Sequence, residues 1–164
     1  MTVWLCSGQG AQKPGMGADL LVLPEVTDVF DVMSRELEMD LHQLACEGTP
    51  EEINQPEAAQ ALTMAVSVGV GLALKARGFA PDALIGFSLG QISALVLSEM
   101  LPLEEAARLL KVRSSSMAAA CAANPGGMVA LMGATLDDAE ALCAEAAGDD
   151  VLVCANHNAP GQIV

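Results

Sequence analysis

The run Gly86-Phe87-Ser88-Leu89-Gly90 joins a short apolar stretch to an amphipathic one, and its residue types suit one kind of chemistry. Glycines on both sides let the chain reverse in a crowded space, with the serine at the apex and its hydroxyl exposed. Read as strand, sharp turn and helix, G-x-S-x-G is a nucleophile elbow. The helix that follows would aim its free N–H groups and positive dipole end at the same spot, where an oxyanion could form. The reaction class expected is acyl transfer through an acyl-serine. The same residues also fit an ordinary strand-to-helix turn in which Ser88 caps the helix.

Two further side chains could join such a site. Gln9, in Gly8-Gln9-Gly10, sits in a loop after the first strand. In a parallel sheet that loop lies at the C-terminal ends of the strands, where ligands collect. Gln9 is either a donor to an oxyanion or a solvated turn residue. The loop is not a dinucleotide fingerprint, because G-x-G-x-x-G is not completed and Pro14 follows. Arg113 falls on a helical stripe of Ala106, Leu110 and Met117, with Leu109 beside it, while Arg108 and Lys111 point elsewhere. A guanidinium on an apolar face either snorkels, pairs with a buried carboxylate or binds an anionic ligand. Of the two histidines, His42 reads as a half-buried helix residue and His157 as part of a turn-rich loop with Asn156 and Asn158. Neither is placed by sequence as the base for Ser88, and the asparagines read more simply as turn residues than as site residues.

The elements that must position these groups follow from periodicity and punctuation. Strands are expected at Val3 to Cys6 and Ala83 to Gly86. Helices are expected from Pro24 to about Glu38, just before Gly48, from Pro56 to Arg77, from Leu89 to Leu97 and from Leu103 to about Ala122. The Pro56–Arg77 helix is apolar almost all round and should be buried on most sides. After Asn124-Pro125-Gly126-Gly127 the pattern becomes strand (Met128 to Gly133), Thr135-capped helix to about Ala147, strand (Val151 to Ala155) and the opening of a third strand at Gln162-Ile163-Val164. The grammar is α/β, with a larger unit over 1–125 and a smaller βαβ-containing one over 126–164.

Composition narrows the class. In 164 residues, 52% hydrophobic content supplies a substantial core, built from Ala, Leu, Val and Met because aromatics are only 2%. No uninterrupted apolar run of about 18 residues occurs, and the start lacks the basic flank of a signal peptide. The five cysteines are scattered without a Cys-x-x-Cys, which argues against a disulfide framework or a zinc site and for reduced thiols in the cytoplasm. A formal net charge of −14 argues against nucleic acid or an anionic membrane as partner.

Taken together, the chain resembles the malonyl-CoA:acyl-carrier-protein transacylase family, which includes the acyltransferase domains of fatty-acid and polyketide synthases. The resemblance rests on Ser7-Gly8-Gln9-Gly10-Ala11-Gln12, Gln60-Ala61-Leu62, Gly86 through Gln91, Lys111-Val112-Arg113 through Met117, and Asn156 through Gln162. These occur in the family's order, with Arg113 at the family's spacing from Ser88. It implies an α/β-hydrolase-like parallel-sheet subdomain with part of a small ferredoxin-like subdomain. It also implies roles: Ser88 as nucleophile, Gln9 and the Leu89 N–H as the oxyanion hole, Arg113 as the grip on the substrate carboxylate, and Gln60 and Asn158 as supporting residues. No metal or cofactor is implied. The resemblance implies malonyl-CoA as substrate and acyl carrier protein as the partner that brings the accepting phosphopantetheine thiol. Phe87, Gln91 and Ala61 stand where the family usually has His, Glu and Pro.

The family's catalytic histidine lies beyond the position of Val164, so the match is to the N-terminal half of such an enzyme. An α/β-hydrolase esterase shares the elbow but gives no role to Arg113 or to Gly8-Gln9-Gly10. A non-enzymatic alternative is a binding module, or one part of a split enzyme completed by a second chain with the C-terminal half. Carrier proteins are typically acidic, and seven Lys and Arg offer little basic surface to dock one.

Overall fold

The computed structural model describes residues 1–164 as two units, Met1–Ala123 and Asn124–Val164. In the first, β1 (Val3–Cys6) and β2 (Ala83–Gly86) pair in parallel, with Val3 opposite Ala83 and Cys6 opposite Gly86. Parallel neighbours need a long crossover. Here it carries α1 (Pro24–Leu37), α2 (Leu41–Glu47), α3 (Pro50–Ile53) and α4 (Pro56–Ala76). After β2 come α5 (Gly90–Leu97) and α6 (Leu103–Ala123). The α/β class and both strands are those expected, and the helix ends shift by a residue or so.

The core follows from the apolar spacing. On α1, Val26, Val29, Phe30 and Met33 recur at helical intervals, and all are buried. They pack on α4, which also contacts α5 and α6. By length and composition α4 could cross a membrane, but 67% of its apolar window is buried inside the protein, as its all-round hydropathy demands. Two short elements were not expected, a 3-10 turn at Ala18–Leu20 and α3, which begins with a capping box. The Thr49 hydroxyl accepts from the Glu52 N–H at 3.3 Å, and the Glu52 carboxylate accepts from the Thr49 N–H at 2.9 Å. Thr-x-x-Glu with Pro50 at the first helical position is the sequence sign of such a start.

The second unit differs more from expectation. It holds β3 (Leu131–Met132), α7 (Leu136–Ala146), β4 (His157–Ala159) and β5 (Gln162–Ile163), with the strands antiparallel in the order β3-β5-β4. The Thr135 cap is present, with its hydroxyl accepting from the Asp138 N–H at 3.2 Å. The Val151–Ala155 strand is not, and the Met128–Gly133 strand shrinks to two residues. The cause is the turn at Pro160-Gly161, where Gly161 has φ 77. It returns Gln162-Ile163 between β3 and His157–Ala159, so those residues fill the places in the ladder and Val151–Cys154 has none. His157 and Asn158 therefore belong to a strand rather than a loop.

Candidate active site

Ser88 stands two residues past the end of β2 with φ 51, in the left-handed region that costs a non-glycine residue about 1–3 kcal/mol. The surrounding backbone enforces it. The Phe87 N–H donates to the Cys6 carbonyl at 3.0 Å, extending the ladder one step past β2, and the Gly90 N–H donates back to the Phe87 carbonyl at 2.8 Å. A Cβ on Gly90 would run into the carbonyls of Cys6 and Ser7, and one on Gly86 into the backbone of Gly90 and Gln91. Both glycines are thus required by close approach of α5 to the strand ends. Ser88 does not cap α5; Leu89 occupies the cap position without a side-chain hydrogen bond. The serine side chain is exposed and free for other work, and the Leu89 N–H makes no backbone hydrogen bond.

What the Ser88 hydroxyl meets is Arg113. Its Nη2 donates to Ser88 Oγ at 3.1 Å, and its Nη1 donates to Gln60 Oε1. Gln60 is wholly buried on α4, and its Nε2 faces Met117 Sδ at 3.7 Å. A buried glutamine among alanines and leucines costs free energy unless its dipole is used, and holding the guanidinium uses it. The chain has 21 acidic residues, and Arg35, Lys75, Arg77, Arg108 and Lys111 each meet a carboxylate. Arg113 meets none. Half-buried, it is held by neutral groups alone, which disposes of the buried ion-pair alternative. The stripe itself needs two corrections: Leu109 and Met117 are 47% and 39% exposed, and Ala107 and Ser114 complete the buried face of α6 in their place.

The glycine loop touches the elbow at Gly8, where a Cβ would come within 2.9 Å of both the Phe87 ring and the Phe87 carbonyl. Its internal ties are made by Gln12, which sequence reasoning passed over. Gln12 Oε1 accepts from the Gly10 N–H, and Gln12 Nε2 donates to Asn54 Oδ1, both at 2.8 Å. Gln9 is exposed and is not needed for the turn. His42 is engaged elsewhere, with Nε2 at 2.7 Å from Asp31 Oδ1 and its ring tilted against Phe30. Asn158 and His157 lie exposed on β4 in the second unit. Within the first unit the structure therefore brings together Ser88, Arg113 and Gln60, with Leu89 and the Gly8 turn beside the serine. No histidine of that unit joins them.

A left-handed serine at a strand-to-helix turn, met by a carboxylate-free arginine, stands on an α/β scaffold. The chain belongs to the acyl transferase domain family, whose model matches residues 3–164. It is similar to the malonyl CoA-acyl carrier protein transacylase of Escherichia coli K12, with 37% identity over 161 residues, 96% of this chain and 52% of that protein. The probable mitochondrial malonyl-CoA-acyl carrier protein transacylase of Drosophila melanogaster is 38% identical over 133 residues, 77% of this chain and 35% of that one. Among solved structures, MCAT from Streptococcus pneumoniae superimposes with TM-score 0.87 at 36% identity, over 99% of this chain and 53% of that one. A malonyl-transacylase in complex with its type II PKS acyl-carrier protein gives TM-score 0.87 at 32% identity, over 98% and 53%. The chain spans about half the length, or less, of these relatives.

Proposed function

We propose that this chain carries the nucleophile and acyl grip of a malonyl-CoA:acyl-carrier-protein transacylase serving fatty-acid or polyketide synthesis. The observation that carries the reading is Arg113 meeting Ser88 Oγ and Gln60 with no carboxylate on it. A guanidinium so placed favours a substrate that brings its own carboxylate, held two-pronged in line with the planar fork. In O-malonyl-serine one methylene separates the ester carbonyl from the free carboxylate. The arginine that grips that carboxylate must therefore stand beside the serine, as Arg113 does.

Ser88 Oγ attacks the thioester carbonyl of malonyl-CoA while a base takes its proton. The oxyanion accepts from the Leu89 N–H and from Gln9, the C–S bond breaks, and coenzyme A leaves as its thiol. The carrier protein's phosphopantetheine thiol then attacks the acyl-serine, releasing the hydroxyl. The base is assigned to a histidine of the segment that makes up the second half of the relatives' length. Asn158 is assigned a supporting role there. No cofactor enters, since coenzyme A and phosphopantetheine act as carriers of the acyl group, and the five unpaired cysteines favour a cytoplasmic setting.

Intact-protein mass after incubation with malonyl-CoA tests this. One malonyl adduct, absent in Ser88→Ala, is expected. No adduct would favour the second reading, an acyltransferase-like binding module or one part of a split enzyme. That reading is favoured by the two-stranded sheet, whose face at Leu5 (76% exposed) and Ile85 (56%) and whose outer edges are uncovered within the first unit. Co-purification with a chain carrying the C-terminal half would support it.

A further inference from the structure

Most of the cysteines stand alone: Cys6 is buried at the end of β1, and Cys46 and Cys121 are exposed on separate helices. Cys143 and Cys154 do not. Their sulfurs lie 3.9 Å apart, both half-buried, inside the second unit. They sit on a cleft of about 440 Å3 lined by Leu131, Leu142, Val153 and Ile163, wide enough to admit a small oxidant. Cys143 is fixed on α7, whose start is locked by the Thr135–Asp138 box. Cys154 lies in a segment outside any regular element, tied only just beyond, where the Ala155 N–H donates to the Val164 carbonyl at 2.7 Å. A disulfide needs its sulfurs at about 2 Å. The remaining approach can be made by side-chain rotation and a shift of this unladdered segment, without unwinding α7.

We propose that Cys143 and Cys154 are a reactive thiol pair that a peroxide closes to a disulfide. One thiolate attacks a peroxide oxygen, the O–O bond breaks, and water leaves with the thiol's proton, giving a sulfenic acid. The second thiol attacks that sulfur, the S–O bond breaks, and a second water leaves. The two sulfurs together give up two electrons and hydrogen peroxide is reduced to water. Burial, then the Cys143 contact, pushes the Cys154 thiol up, so closure speeds up as the solution is made alkaline. The result staples α7 to the Val151–Cys154 segment and closes one side of the cleft. It is independent of the transacylase reading.

The whole chain, treated with hydrogen peroxide and then cleaved after glutamate, tests this, because Glu145 lies between the two cysteines. Fragments 141–145 and 146–164 should emerge joined, lighter by two hydrogens than their sum, and separate with dithiothreitol. In Cys154→Ser, Cys143 should instead accumulate a sulfenic acid trapped by dimedone. Links to Cys46 or Cys121, or independent oxidation of both thiols in the wild-type chain, would overturn the proposal.

Discussion

Arg108 and Arg113 ride on the same helix and meet opposite surroundings. At the first half of α6, Arg108 donates to Glu36 on α1 and to Glu105 one turn back, both at 2.9 Å, and is exposed. At the middle of the helix, Arg113 reaches a buried amide and a serine hydroxyl. The first arrangement is that of a structural ion pair, with opposite charges matched in water and worth little. The second leaves a half-buried charge matched by dipoles, which lowers stability relative to an apolar residue of the same size. A protein so rich in acids could have paired Arg113 internally. That it does not is the sign of a site rather than a strut.

The largest effect should come from Arg113→Met. Malonyl loading of Ser88 should fall ~10²–10³-fold, the cost of removing one partner of a desolvated charge pair. Thermal stability should hold or rise, measured by calorimetry. Arg108→Met should do the reverse, lowering stability slightly and leaving loading unchanged. Next is Gln60→Leu, which keeps the volume but leaves Arg113 Nη1 without its acceptor. Gln60 touches no substrate and acts as a positioning residue, so loading with malonyl should fall about 10-fold while loading with acetyl is unmoved. Supplying a charged oxygen acceptor with Gln60→Glu would not rescue it, since the carboxylate would occupy the arginine.

The smallest effect concerns Glu36. The Arg108 hydrogen bond, helped by Arg35, holds its carboxyl below the ordinary range. A carboxyl whose folded pKa is lowered contributes stability above its unfolded pKa and loses it as pH falls through the folded value. Glu36→Gln should therefore flatten the acid limb of a stability–pH curve, with a change in Tm of no more than a few degrees near neutrality. Salt should mask that change.

How far these features were legible differs with their range. The elbow could be read because its glycines are adjacent to the serine and their steric reason is local. Arg113 stood out because helical spacing put a charge on an apolar stripe, but its partner Gln60 lies on another helix and only packing joins them. Local spacing also put Leu109 too near the core, since several turns of α6 can face α1 and α4 in more than one rotation. The middle C-terminal strand was misplaced for a related reason, while those at Leu131–Met132 and Gln162–Ile163 fall where expected. Val151–Cys154 is more apolar than His157–Ala159, yet the Pro160-Gly161 turn decides which run β5 can reach. The sulfur pair on α7 and Val151–Cys154 was invisible for the same cause.

The most direct test of the central claim is a competition between malonyl-CoA and acetyl-CoA for Ser88, read by intact mass in the wild-type chain and in Arg113→Met. A malonyl preference in the wild type that disappears or reverses in Arg113→Met is the predicted result. Equal loading by both thioesters in the wild type, or a preference that survives the substitution, would contradict the account of Arg113 as the grip on the substrate's carboxylate.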